Sequence, residues 1–293
     1  MKAYTPIAAA IVFAVSSAAM AGENTAIQVQ AGGLNHADAV QDSPLAFYNF
    51  VMQTQLGFKN KAEAIQDGTE TGSKIFQTQI GKLNKASSVQ EDGYGNLTDV
   101  LQLGIKNKAF TAQVLTVGNH ALVKQFGNYN RAEINQMWGY DNLATITQDG
   151  EGNKAWVDQW YSDYSVGLIK QHGQNNRART EQFGTSASNS YTYQYGEGNR
   201  ANVFQGGFYN ESLILQHGEY NRAKVDQWGE DLNQVTVQYG HGNRAVTMQE
   251  EYGHNSLTTQ LGSYNVHKTM QTGSYETAVA FQLGDANKGV INQ

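Results

Sequence analysis

The chain has 293 residues, a formal net charge of −6, only 16% charged residues, 31 glycines, two prolines and no cysteine. The missing cysteine excludes disulfides and thiolate metal sites, and the net negative charge gives no reason to expect nucleic acid or an anionic membrane as a partner. With 40% hydrophobic residues and a negative mean hydropathy, aliphatic side chains alone cannot fill a conventional interior, so either the chain is disordered or something else packs inside it.

The N-terminus reads as a secretory leader. Lys2 supplies a positive start, Ile7 to Val15 form a short apolar run, and Ala19-Met20-Ala21 is a small-residue cleavage site. The apolar run is too short to span a bilayer, and no later segment approaches the length of a membrane helix, so the chain is expected to be exported and not membrane-embedded. Two domains follow: a signal peptide over 1–21, and a repeat region over 22–293 built of about twelve units of 22–25 residues.

Each unit begins Q-x-G-x-x-N, followed by six residues ending in Gln, and starts at Gln30, Gln55, Gln79, Gln102, Gln125, Gln148, Gln171, Gln194, Gln216, Gln238, Gln260 and Gln282. The third-position Gly, sixth-position Asn and closing Gln occur in all twelve, and Ala holds the eighth position in ten, the exceptions being His267 and Gly289. The Asn is usually followed by Lys or Arg, as at Lys61, Lys85, Arg131, Arg200 and Arg244. The first unit is less regular, with an insertion around Asp42-Ser43-Pro44; Pro44 cannot donate to a ladder, which suits a bulge or partial cap. Successive starts are spaced 25, 24, then 23 residues five times and 22 residues four times. A weaker copy of the same pattern lies between strong ones, as in Gln113 to Gln125 and Gln136 to Gln148, so the unit is two half-repeats of about eleven residues.

An eleven-residue period also suits a right-handed helical coiled coil. Here a Gly in every half-repeat costs a helix roughly 1 kcal/mol against Ala, and insertions of one or two residues would rotate its apolar stripe out of phase. Alternation decides between the two. In Asn130-Arg131-Ala132-Glu133-Ile134-Asn135-Gln136, the residues Asn, Ala, Ile and Gln fall on one face, and Asn221 to Gln227 repeats the pattern. Period two means strand, and the Q-x-G-x-x-N link carries Gly and Asn suited to turns with positive φ. The expected fold is all-β: a β-solenoid of about twelve strand–turn–strand coils forming two stacked parallel sheets.

If coils stack in register, each inward residue lies about 4.8 Å from its equivalents above and below. A lone buried amide is costly, but stacked amides can donate each to the next one's carbonyl. The candidate ladder residues are Gln102, Asn107, Gln113, Gln125, Asn130, Gln136, Gln148, Asn153 and Gln159. They continue through Gln171, Asn176, Gln182, Gln194, Asn199 and Gln205, and end at Gln282, Asn287 and Gln293. Turn glycines are expected at Gly104, Gly127, Gly150, Gly173 and Gly196. The last unit runs nearly to pattern and shows no capping segment, so an open rung is expected to accept another chain head to tail.

The pattern S/N-x5-Q-x-G-x-x-N-x-A-x3-Q, read here at Asn119, Gln125, Gly127, Asn130, Ala132 and Gln136, closely resembles the repeat of curlins, the subunits of bacterial curli amyloid fibres. The resemblance runs over essentially the whole region after the leader. It implies export through the periplasm and outer membrane, self-assembly into an extracellular matrix fibre, adhesion, and two partners besides the chain itself: a nucleator subunit and an outer-membrane secretion channel. The chain has more repeats than the familiar major curlin and no separate Gly-rich stretch behind the leader. Its final unit keeps Gln282, Gly284, Asn287 and Gln293, which favours the major, polymerising role over the nucleator.

No catalytic residue, metal site or cofactor is expected. His172 and His217 follow the repeat Gln two coils apart, too far to share a metal. Asp149, Glu151, Glu250 and Glu251 are expected in turns, without the paired-acid groove that glycoside cleavage needs. The aspartates do not follow the calcium-roll pattern. Trp138, Trp160 and Trp228 are expected to face outward. The alternative function is a monomeric secreted solenoid acting as an adhesin or as a carbohydrate- or ice-binding surface; such proteins favour one flat outward ladder of a single side-chain type, whereas the residues after the repeat Ala vary (Glu133, Trp156, Arg179, Asn202, Lys224, Val246).

Overall fold

A computed structural model describes residues 12–14, 23–41, 45 and 47–293. The leader is therefore described only at Val12–Ala14, and the insertion at 42–44 lies outside the described residues. The described chain is all-β. It winds between two sheets, alternating one strand in each. The first sheet contains Thr25–Gly33, Phe50–Phe58, Lys74–Lys82 and their successors to Thr277–Leu283, and the second runs from His36–Val40 and Lys61–Asp67 to Lys288–Asn292. The sheets hold 13 and 12 strands. The thirteenth strand of the first sheet is Val12–Ala14, which pairs antiparallel with Thr25–Gly33, Val12 opposite Gln30. The pairings between successive coils are parallel and in register, as in Gln125 opposite Gln102 and Gln148, or Ala132 opposite Ala109 and Ala155. The architecture is a β-solenoid.

Burial alternates along each strand, as the period-two pattern requires. In Arg131–Met137, Ala132, Ile134 and Gln136 are buried while Arg131 is exposed. Facing Ala, Val and Ile side chains form one continuous cluster from Ala86 to Val225, including Val123, Ile134, Ile146 and Val157. Its members are small or β-branched, which suits a thin interior between two closely packed sheets.

Length changes are absorbed in the links. One link is two residues long, Tyr129-Asn130 between His120–Asn128 and Arg131–Met137. The other spans 138–142 in a 23-residue coil and shrinks to Asp231-Leu232 in a 22-residue coil, between Arg222–Glu230 and Asn233–His241. The longer links stack on one another through isolated bridges from Phe47 through Thr71, Tyr94, Val117, Tyr140 and Asp163 to Ser186. The switch from long to short link occurs between Arg177–Ser186 and Arg200–Phe208, where a register shift between Phe183 and Thr185 loops out Gly184. A bulge is the expected way to lose one residue without turning every side chain over.

Candidate functional site

The stacked amides are the chemically distinctive feature of the fold. In the first sheet, Nε2 of each repeat Gln donates to Oε1 of the Gln in the following coil, from Gln30 to Gln282, at 2.7–2.9 Å. A second ladder in the other sheet runs from Gln41 through Gln113, Gln136, Gln159, Gln182 and Gln205 to Gln293, at 2.7–3.2 Å. The second amide hydrogen goes to the main chain, as in Gln148 to the Arg131 carbonyl at 3.0 Å and Gln136 to the Asn142 carbonyl at 3.3 Å. Gln102, Gln125, Gln148, Gln171 and Gln194 are wholly buried. Each is satisfied on all sides, and that removes the penalty of burying an amide.

The asparagines bond amide to amide in some coils, where Nδ2 of Asn60, Asn84, Asn221, Asn243 and Asn287 donates to Oδ1 of the Asn in the preceding coil at 2.9–3.3 Å, and they also bond the main chain. The Oδ1 atoms of Asn107, Asn130, Asn153 and Asn176 each accept the backbone N–H of the Asn in the next coil at 3.0 Å. Nδ2 donates to a glycine carbonyl in the next coil: Asn107 to Gly127, Asn130 to Gly150, Asn153 to Gly173, Asn176 to Gly196 and Asn199 to Gly218, at 2.8–2.9 Å. Asn therefore ties each link to the link beneath it, main chain included. Its side chain is one methylene shorter than that of Gln, which brings its amide within reach of backbone as well as of the neighbouring Asn.

The glycines also have a second role. Gly104, Gly127, Gly150, Gly173 and Gly196 have φ of +101 to +124°, in strand ends rather than in the tight turn itself. A Cβ on any of them would lie 1.9–2.2 Å from the carbonyl oxygen of the next glycine in the column. The left-handed turn residue is instead the one before the Asn: Lys106, Tyr129 and Asn175, or Gly152 and Gly198. The sequence signal for it was weak, because tyrosine, lysine and leucine share the position with glycine.

A third amide ladder escaped the sequence reading. Gln28 donates to Gln53 and Gln53 to Gln77, each at 2.9 Å, and Gln77 to Ser88 Oγ at 2.8 Å. Its signal is the Q-x-Q doublet at 28/30, 53/55 and 77/79. The two exceptions at the Ala position explain each other: His267 is buried, and a Cβ on Gly289 in the next coil would lie 2.8 Å from its Nδ1. Among the described residues His267 Nδ1 has no partner, Nε2 faces Thr269 Oγ1 at 3.1 Å, and burial lowers its pKa. Glu70 is also buried, its Oε1 bonded by Ser73 and Asn96, and burial raises its carboxyl above the ordinary range.

Asp149, Glu151, Glu250 and Glu251 lie in strands, not turns, because the links are shorter than the sequence suggested. His172 and His217 are exposed in strands, separated in one column by Tyr195 at ring-centroid distances of 6.4 and 6.3 Å. Trp138, Trp160 and Trp228 point outward, 42%, 40% and 52% exposed, with Trp138 stacked on Tyr161 at 4.9 Å. Among the described residues no group of three His, Asp or Glu is placed to hold a metal ion, and no helix is long and apolar enough to cross a membrane.

At the two ends of the ladders the bonding groups are complementary. Among the described residues, no donor reaches Oε1 of Gln28, Gln30 or Gln41. At the other end, Gln282 and Gln293 each donate to one carbonyl, of Val266 and Thr277, and among the described residues neither donates to a further Gln. Gln282 is still nearly buried, Asn287 is half-buried and Gln293 is exposed. Val279, Phe281, Leu283 and Val290 of the same coil are 62–71% exposed.

No curated protein matches the chain. A family model, the curlin associated repeat, matches residues 192–229. The matched stretch contains Gln194, Gly196, Asn199, Ala201, Gln205, Gln216 and Gln227, the residues that build the ladders and links of the solenoid. A stretch of this β-solenoid thus carries the curlin associated repeat.

Proposed function

We propose that the chain is a secreted structural subunit, without catalytic activity, that polymerises head to tail into an extracellular amyloid fibre for biofilm matrix and cell adhesion. The observation carrying this reading is the polarity of the ladders. In both long ladders each inter-Gln bond is donated toward the C-terminal coil, so one copy's Gln282 and Gln293 offer N–H groups where another copy's Gln30 and Gln41 offer carbonyl oxygens. A contact of that kind is heterologous and does not close, and the product is an open filament. The self-assembly ladder then comprises the Gln and Asn columns described above. Removal of a leader at Ala21 would also take away Val12–Ala14 and bare the edge of Thr25–Gly33. A nucleator subunit and an outer-membrane channel are the partners this reading calls for.

The test uses the chain beginning at Gly22. It should form thioflavin-positive fibres that are seeded by their own fragments and that diffract with a meridional spacing near 4.7 Å. Gln282→Ala with Gln293→Ala removes two inter-chain amide bonds and should raise the critical concentration by roughly tenfold. Tyr94→Phe, at an exposed link, should leave it unchanged. Chain that stays monomeric and β-rich at tens of micromolar refutes the proposal.

A further inference from the structure

The winding of the solenoid gathers cations that the sequence scatters. Lys61, Lys85 and Lys108 are register partners on adjacent strands, and Lys108 continues to Arg131, Lys154 and Arg177. Arg177 continues in the same way to Arg200, Arg222 and Arg244. Nine of the 20 Lys and Arg residues of an acidic chain thus stand in one straight column, roughly 38 Å long at the usual strand separation. All nine are exposed. Among the described residues, only Lys61 and Arg131 of the nine have an ion-pair partner, Glu63 and Glu133. Like charges directly opposite on neighbouring strands destabilise a sheet, so the column opposes the fold that carries it. A net charge of −6 conceals this surface altogether.

We infer that this column is a binding site for a linear carboxylated polysaccharide, a polyuronate lying along the solenoid axis. An extended polyuronate is straight and carries one carboxylate per sugar, so its charges can meet successive rungs. Guanidinium forks bind carboxylates in bidentate fashion, and Arg177, Arg200, Arg222 and Arg244 supply four of them in succession. Trp156 holds two guanidinium groups against its ring, Arg177 at 5.0 Å and Arg131 at 5.9 Å, which orders them before any ligand arrives. Beside the column, Arg200, Arg222 and Arg244 line a groove of ≈ 290 Å³ whose other wall includes Asn202, Lys224 and Val246 and no carboxylate. Asn202 adds an amide for sugar hydroxyls. Duplex DNA is a poorer match: its phosphates advance about 3.4 Å per strand and wind about the axis, so a straight column meets one strand only briefly. The site is complete in a single chain and does not depend on polymerisation.

Binding is measured by fluorescence anisotropy with labelled polygalacturonate, its fully methyl-esterified form, and a short duplex DNA. The unesterified polymer should bind at least about tenfold more tightly than the ester, and lose at least about tenfold between about 50 and about 200 mM salt. Arg200→Gln with Arg222→Gln and Arg244→Gln should weaken binding by about tenfold or more, and the same three changed to Lys by less, about threefold, because the charge is kept and the fork is lost. Lys59→Gln with Lys106→Gln and Lys170→Gln changes the net charge equally off the column and should bind as the parent does. Circular dichroism checks folding, and Arg222→Gln alone, expected to lose about threefold, serves if the triple variant does not fold. Equal affinity for acid and ester, an unaffected triple Gln variant, or tighter binding of the duplex would each overturn the assignment, the last in favour of nucleic acid.

Discussion

Replacing Gln148 by Glu inserts a titratable group into the middle of a dry amide ladder, and its cost should depend on pH. Gln148 is wholly buried, accepts from Gln125 at 2.8 Å, and donates to Gln171 at 2.8 Å and to the Arg131 carbonyl at 3.0 Å. A protonated Glu keeps the acceptor and one donor, so only the bond to Arg131 is lost, at about 1 kcal/mol. An ionised Glu keeps neither donor, and its charge faces the Gln171 oxygen with no cation inside the solenoid. Burial and the loss of donor capacity both raise the folded-state pKa above the unfolded value of about 4.3. The native Glu70, buried in the link between Lys61–Asp67 and Lys74–Lys82, is shifted in the same direction. Buried Glu residues reach about 8–9; at roughly 1.36 kcal/mol per unit, the added penalty by about pH 8 is about 4–5 kcal/mol. A raised pKa means that the penalty is absent below about pH 4.3 and grows as pH rises toward the folded-state value. Guanidinium unfolding of dilute chain, followed by far-UV circular dichroism, gives the difference between variant and parent. That difference should be about 1 kcal/mol near pH 3.5 and about 5 kcal/mol near pH 8. A difference that stays constant across this range would show that position 148 is hydrated, and the dry-ladder account would fail.

His267 is buried with a lowered pKa, so its contribution to stability is complete above the unfolded value of about 6.5 and is lost as pH falls below it. Amide protection factors in Val266–Ser274 and Lys288–Asn292, taken against the intrinsic exchange rate at each pH, should therefore fall between about pH 7 and about pH 5, and His267→Ala with Gly289→Ala, which restores the repeat's own residue in both coils, should abolish that fall. Glu251 occupies the column position of Gly229 and Gly273 and has φ of +81°. Glu251→Gly should stabilise the chain by up to about 1 kcal/mol, read as a higher guanidinium midpoint; a lower midpoint would show that the backbone there is unstrained.

The repeat spacing, the alternation after each Asn and the invariant Gln, Gly and Asn were enough to specify strands, links and stacking. A side chain that recurs at a fixed interval in a two-sheet coil must lie over its own copies, so Gln136 on Gln159 followed from counting. Other features required the tertiary structure. Asn and Gln look alike in a pattern, and only side-chain reach across the coil spacing decides that Asn107 bonds the Gly127 carbonyl while Gln102 bonds the Gln125 side chain. The need for Gly at 127 comes from the carbonyl of Gly150 in the next coil, a contact across 23 residues that local turn preference does not contain. The strand assignment of Glu251, the pairing of His267 with Gly289 and the column from Lys61 to Arg244 are likewise consequences of register. A sequence lists charges along the chain, whereas repulsion and recognition depend on their separation in space, and winding the chain brings residues 22–24 positions apart to within one strand spacing of each other.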